Sequence, residues 1–67
     1  MNGNLLRDLR LAKGWSQEQL AYIVGTTRNT IYNIEHGKQN TTNDALATKI
    51  AKTLGTTVEE LIGRKDA

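Results

Sequence analysis

Residues 17–35, QEQLAYIVGTTRNTIYNIE, constrain this chain more than any other stretch. They read as two short helices that meet at a glycine. Gln17 opens the first, whose inner face is Leu20, Ala21 and Val24. Gly25 ends it, because glycine takes the left-handed conformation that closes a helix with almost no linker. Thr27 restarts the chain, and Ile31 and Ile34, three apart, form the inner stripe of the second segment. Ala21 is small enough for another helix to cross close above it. With both isoleucines inward, Arg28, Asn29, Tyr32 and Asn33 turn outward.

A chain of 67 residues is expected to form one domain near the lower limit for unaided folding. Such a domain buries only about 60% of its unfolded surface, so several helices must share one core. The rest of the sequence supplies them. Asn2 or Asn4 can cap a first helix running to about Lys13, with Leu5, Leu6 and Leu9 inward and Gly14 as its stop. Ser16 stands three residues before Gln19, a capping-box arrangement, and Trp15 with Leu20 occupies the two positions of a hydrophobic staple. Helix three runs from about Arg28 to His36, capped by Thr27 and stopped by Gly37. A polar loop, Lys38 to Thr42, leads to helix four, about Asp44 to Leu54, with Asn43 as cap. Leu46, Ile50 and Leu54 recur there every four residues beside Ala47 and Ala51. After Gly55, a second capping box from Thr57 to Glu60 opens a short fifth helix carrying Val58, Leu61 and Ile62. The charged tail from Gly63 to Ala67 is expected to fray. No segment reads as a strand, so the expected fold is all-α: five short helices in one compact unit.

Composition narrows the function more by exclusion than by direction. The chain has no cysteine and one histidine, which removes disulfides, thiolate sites and any ordinary protein-only zinc site. The lack of disulfides in so small a chain fits a reducing cytoplasm, and no run approaches the roughly 18 apolar residues that span a bilayer. Asn40-Thr41-Thr42 matches a glycosylation acceptor but, without a secretion signal, reads as loop. Nine basic residues against seven acidic give +2, with a pI near 9.2. That balance agrees with nucleic-acid binding without pointing to it. The placement of the charges says more: helix three has Arg28 near its start, and Glu35 is its only acid.

Residues 16–36 thus make a helix-turn-helix, a unit whose commonest use is to lay its second helix in the DNA major groove. The chain resembles the lambdoid phage repressor and Cro family, the wider XRE-type group of small bacterial regulators. The resemblance runs from about Leu5 to Ile62. It is strongest from Trp15-Ser16-Gln17 through Leu20-Ala21, Val24-Gly25-Thr26-Thr27 and Ile31 to Ile34-Glu35, followed by Gly37-Lys38. LATKIAKTLGTTVEELI resembles the family's fourth and fifth helices. A lone glycine-turned helix pair is a weak signal; five helices matching in order are a strong one.

The resemblance implies roles where residues match. Gln17 looks like the family glutamine that holds a DNA phosphate, at a helix end that favours anions in any case. Thr27, Arg28 and Asn29 lie in the first turn of the recognition helix, with Asn33 one turn on, and these would read bases. Arginine can donate twice to guanine, and asparagine pairs both ways with adenine. Tyr32 would touch a thymine methyl group or a phosphate. Arg10 and Glu35 match a pair that joins helix one to the end of helix three and can aim the arginine at the DNA backbone. Lys38 and His36 are the remaining phosphate candidates. The loop Gln39-Asn40-Thr41-Thr42-Asn43 is neutral and lacks the family's proline, so minor-groove contact does not carry over to it. The tail is expected to be too short for a sensor domain.

Each of these has a plainer reading: a solvated helix face for Arg28, Asn29 and Asn33, a good helix former for Gln17, core cover for the Tyr32 ring, and a structural bridge for Arg10 with Glu35. Tyr22 lies on the outer face of helix two and suits surface or dimer packing. Enzymatic readings fail. Ser16 is the only serine and is needed as a cap, no glycine loop cradles phosphate, and no carboxylate pair forms a cleft pattern. No catalytic residue, metal, cofactor or small-molecule ligand is implied. The expected function is sequence-specific binding of double-stranded DNA as a homodimeric repressor, with Leu61 and Ile62 forming the dimer seam or else completing the core. The rivals are an antitoxin or accessory regulator whose partner is a protein, and a helical domain with a spent DNA surface.

Overall fold

The computed structural model describes residues 2–38 and 44–62. They form α1 (Gly3–Ala12), α2 (Gln17–Val24), α3 (Arg28–Glu35), α4 (Asp44–Leu54) and α5 (Val58–Ile62), with no strand among the described residues. The loop at 39–43, including the Asn43 cap and the glycosylation-like triplet, and the tail at 63–67 lie outside the described residues.

Local chemistry sets the helix ends. The Asn2 side chain, rather than that of Asn4, caps α1 by accepting from the Leu5 N–H at 3.1 Å. At α2 the capping box is complete. Ser16 Oγ accepts from the Gln19 N–H at 3.0 Å, and Gln19 Oε1 accepts from the Ser16 N–H at 2.8 Å. Each end thereby satisfies donors that the first turn leaves without intrahelical partners. At α5 only half of the expected box forms. Thr57 Oγ1 accepts from the Glu60 N–H at 3.2 Å, while the Glu60 carboxylate takes the Thr56 hydroxyl instead of reaching back. Gly25, at φ 80° and ψ 36°, makes the left-handed turn between α2 and α3, and its successor's N–H reaches back to the Ala21 carbonyl at 2.8 Å.

The core is one cluster drawn from all five helices. Leu6 comes from α1; Leu20, Ala21 and Val24 from α2; Ile31 and Ile34 from α3; Ile50, Ala51 and Leu54 from α4; Leu61 from α5. Leu5, Leu9, Trp15, Leu46 and Val58 close it around the edge, with Trp15 in the staple position expected of it. Burying each large aliphatic side chain stabilises by about 1.5–3 kcal/mol. Ala21 allows α2 to pack against α4 as well as α3, so the pair α2–α3 rests on a floor of other helices. Of the two seam candidates, Leu61 is fully buried inside this cluster, the second of the roles expected for it. The Ile62 side chain lies outside the described residues.

One close approach was not read from the sequence. A Cβ at Gly3 would lie 2.5 Å from the carbonyl oxygens of both Ile34 and Glu35. The first turn of α1 therefore runs directly against the last turn of α3. The Asn2 N–H adds a bond to the Leu61 carbonyl, tying the same end of α1 to α5. Gly3→Ala should force these backbones apart and cost about 1–3 kcal/mol, the usual range for overpacking. Chemical denaturation beside Asn4→Ala, an exposed neighbour, checks this; equal stability of the two variants would contradict it.

Candidate nucleic-acid interface

The residues expected to meet DNA lie on α3 and the turns at either end of it, at the start of α2 and, with Arg10, on α1, and their burial runs from exposed to buried. On α3, Ile31, Ile34 and Glu35 are buried, Arg28 and Asn29 are exposed, and Thr30, Tyr32 and Asn33 are intermediate. The two isoleucines, each fully buried, orient the helix as their spacing predicted. Arg28, Asn29 and Asn33 consequently share the outward side. Thr27 caps α3: its Oγ1 accepts from the Thr30 N–H at 3.2 Å and lies 3.0 Å from the Thr30 hydroxyl oxygen. Its hydroxyl is thus already engaged in the cap, while the residue as a whole is exposed.

Beneath this surface lies a polar network built on Glu35. Arg10 Nε donates to Glu35 Oε2 at 2.7 Å, and Arg10 Nη2 donates to Glu35 Oε1 at 3.1 Å, a two-pronged ion pair with both side chains buried. Arg10 Nη1 donates to the Trp15 carbonyl at 2.7 Å, and the Trp15 N–H returns a bond to the Arg10 carbonyl at 3.2 Å. Gln17 Nε2 completes the set by donating to Glu35 Oε1 at 3.1 Å. Arg10, only 7% exposed, is thus committed to Glu35 and the α1–α2 turn, which is the structural bridge among the roles expected for it. Among the described residues, no buried side-chain nitrogen or oxygen lacks a partner.

The network has an electrostatic consequence. Glu35 is the only acid of α3, and it is turned inward and neutralised by Arg10. The outward side of the helix therefore carries Arg28 with no exposed carboxylate, and Lys38 and His36 follow, both exposed. Gln17 is held by its amide at the first turn of α2, whose N-terminal N–H groups favour an anion. Sequence reasoning joined Arg10 to Glu35 but missed the Gln17 and Trp15 links. The two rings of Tyr32 and His36 meet in a tilted contact with centroids 4.1 Å apart, which their four-residue spacing allows.

Tyr22, 86% exposed, stands on the outer side of α2 with Ile23, where a shallow groove is lined by Trp15, Glu18, Gln19, Tyr22 and Ile23. Among the described residues, no cluster of His, Asp or Glu could hold a metal ion. Nor is any described helix long and apolar enough to cross a membrane.

Removing one partner of a buried pair costs about 3–5 kcal/mol, because the other is left charged and unpaired. A core of this size rarely supplies more than about 3–5 kcal/mol in all. Glu35→Ala should therefore unfold much of the population at 25 °C, while Arg10→Met combined with Glu35→Leu should recover most of the loss. Urea titrations followed by circular dichroism read both, and a Glu35→Ala cost under about 1 kcal/mol would contradict the burial of the pair.

A helix-turn-helix family model matches residues 6–61, nearly the whole described fold. An HTH-type transcriptional regulatory protein of Thermococcus kodakarensis is 44% identical over 39 residues, covering 58% of this chain and 12% of that protein. The HTH-type transcriptional regulator AnsR of Bacillus subtilis is 35% identical over 65 residues, covering 97% of this chain and 55% of AnsR. The chain thus spans about half of AnsR and a small part of the other relative. Among solved structures, SinR, a master regulator for biofilm formation crystallised in complex with DNA, superposes with a TM-score of 0.82 at 26% identity, over 92% of this chain and 98% of that one. The restriction-modification controller protein C.AhdI of Aeromonas hydrophila gives 0.76 at 37% identity, over 88% of each chain. With five helices in the expected order and a family match across them, the chain belongs to the XRE-type helix-turn-helix family.

Proposed function

We propose that this protein is a DNA-binding transcriptional regulator that inserts α3 into the major groove of double-stranded DNA. The observation that carries the proposal is the inward, neutralised Glu35: the side of α3 left facing outward is polar and free of exposed acid. The SinR–DNA complex, from a protein of the same fold, supports it. Arg28, Asn29 and Asn33 read base edges, where a forked guanidinium suits guanine and a carboxamide suits adenine. Thr27 adds its methyl group beside them. Gln17, braced on Glu35, takes a phosphate at the start of α2, while Arg10 works from below by fixing Glu35. Lys38 and His36 approach the backbone beyond the other end of α3.

Regulation is by repression: the domain occupies an operator and excludes polymerase. One such domain covers too little DNA for tight binding, so it acts as a homodimer on a pseudo-palindrome with half-sites about 34–36 Å apart. Its place of action is the cytoplasm.

Sites selected from a random duplex pool test this directly. Arg28→Ala should cost about 1–3 kcal/mol of affinity and relax the preference at one base pair. Gln17→Ala should weaken all duplexes alike, because a phosphate contact carries no sequence information. An unchanged base preference in the first variant, or a sequence-selective loss in the second, would refute the assigned role.

A further inference from the structure

Beyond the base-facing side of α3 lies a cluster that base reading does not explain. The Tyr32 and His36 ring centroids are 4.1 Å apart with the planes tilted by 37°. The Lys38 ammonium lies 5.5 Å from the Tyr32 ring centroid, within the range at which an aromatic face attracts a cation. Lys38 reaches this position because Gly37, at φ 73°, turns the chain back and the Lys38 N–H bonds to the Asn33 carbonyl at 2.8 Å. His36 and Lys38 are exposed, while Tyr32 is half-buried. One neutral ring therefore touches both basic side chains that follow the helix.

We infer that Tyr32, His36 and Lys38 form a single phosphate clamp, in which Tyr32 is a positioning residue that holds the two basic groups and does not read a base. The inference rests on the DNA-binding reading above. A recognition helix that leads with its N-terminal residues leaves its C-terminal end toward the groove edge, where the phosphates run. The cluster occupies that end. A free lysine must give up rotamer freedom to settle on a phosphate, whereas one already packed on a ring has surrendered part of it beforehand. The imidazole, packed at a tilt against the same ring, is held beside it as a second donor.

The test is the salt dependence of binding to a random-sequence duplex, measured by fluorescence anisotropy, with the folded fraction of each sample read by circular dichroism. Lys38→Ala should lower the slope of log K against log salt by about 0.9, the value for one phosphate neutralised. Tyr32→Leu changes no charge, yet it should lower the slope in the same direction, and adding Lys38→Ala to it should lower it little further. Tyr32→Phe should keep the wild-type slope, since it keeps the ring. Base preference in selected sites should be unchanged in all three single variants. A wild-type slope in folded Tyr32→Leu, or a loss confined to one base pair, overturns the clamp alone. Salt-independent or absent binding by the wild-type chain overturns the DNA-binding reading and the clamp with it.

Discussion

The Glu35 carboxylate is the interaction on which the rest of this structure depends. It accepts from Arg10 twice and from Gln17 once, and Arg10 in turn holds the Trp15 carbonyl. Four residues from α1, the α1–α2 turn, α2 and α3 are thus fixed by hydrogen bonds whose directions are demanding. A buried ion pair of this kind contributes little net stability over an apolar replacement, since desolvation offsets the attraction. Its value lies in geometry: it sets where the start of α2 stands relative to the end of α3. It also removes the one negative charge of α3 from the surface.

The apolar core does the complementary task. Ile31 and Ile34 hold α3 at a single rotation about its axis, and Gly25 sets the sharp turn from α2 with a backbone conformation that suits glycine. Behind the pair, α4 and α5 fill the space that two helices cannot fill alone, and Leu61 closes it. The contact of Gly3 with the last carbonyls of α3 braces that helix from its far end. Rotation of α3 is therefore resisted by isoleucines within, by Glu35 at its last residue and by the backbone of α1 beyond.

What was legible in the sequence was local. The Ser16–Gln19 box, the Thr27 cap and the inward residues of α2 and α3 follow from spacings of three and four residues, and the structure reproduces them; at α1 the same reasoning left Asn2 and Asn4 both open as the cap. The Arg10–Glu35 pair, 25 residues apart, was legible only through the family resemblance. Its extension to Gln17 and to the Trp15 carbonyl was not, because side-chain rotamers and a backbone acceptor leave no trace in residue spacing. Gly3 reads as a poor helix former near a cap; its reason is a backbone more than 30 positions away. The five residues of α5 are too few for periodicity to separate a buried Leu61 from an exposed one. At Thr57–Glu60 the motif was present, but a neighbouring hydroxyl from Thr56 competed for the carboxylate.

The outward polar side of α3 meets its partner or it does not, and backbone amide shifts report this residue by residue. A uniformly nitrogen-15-labelled chain titrated with a duplex from a site selection gives the most direct reading. The expected result is a set of shifted amides at Gln17, from Thr27 to Asn33, and from His36 to Lys38, with the outer side of α2 around Tyr22 unchanged. Shifts centred instead on Trp15, Tyr22 and Ile23, with α3 silent, would contradict it and place the binding surface on α2.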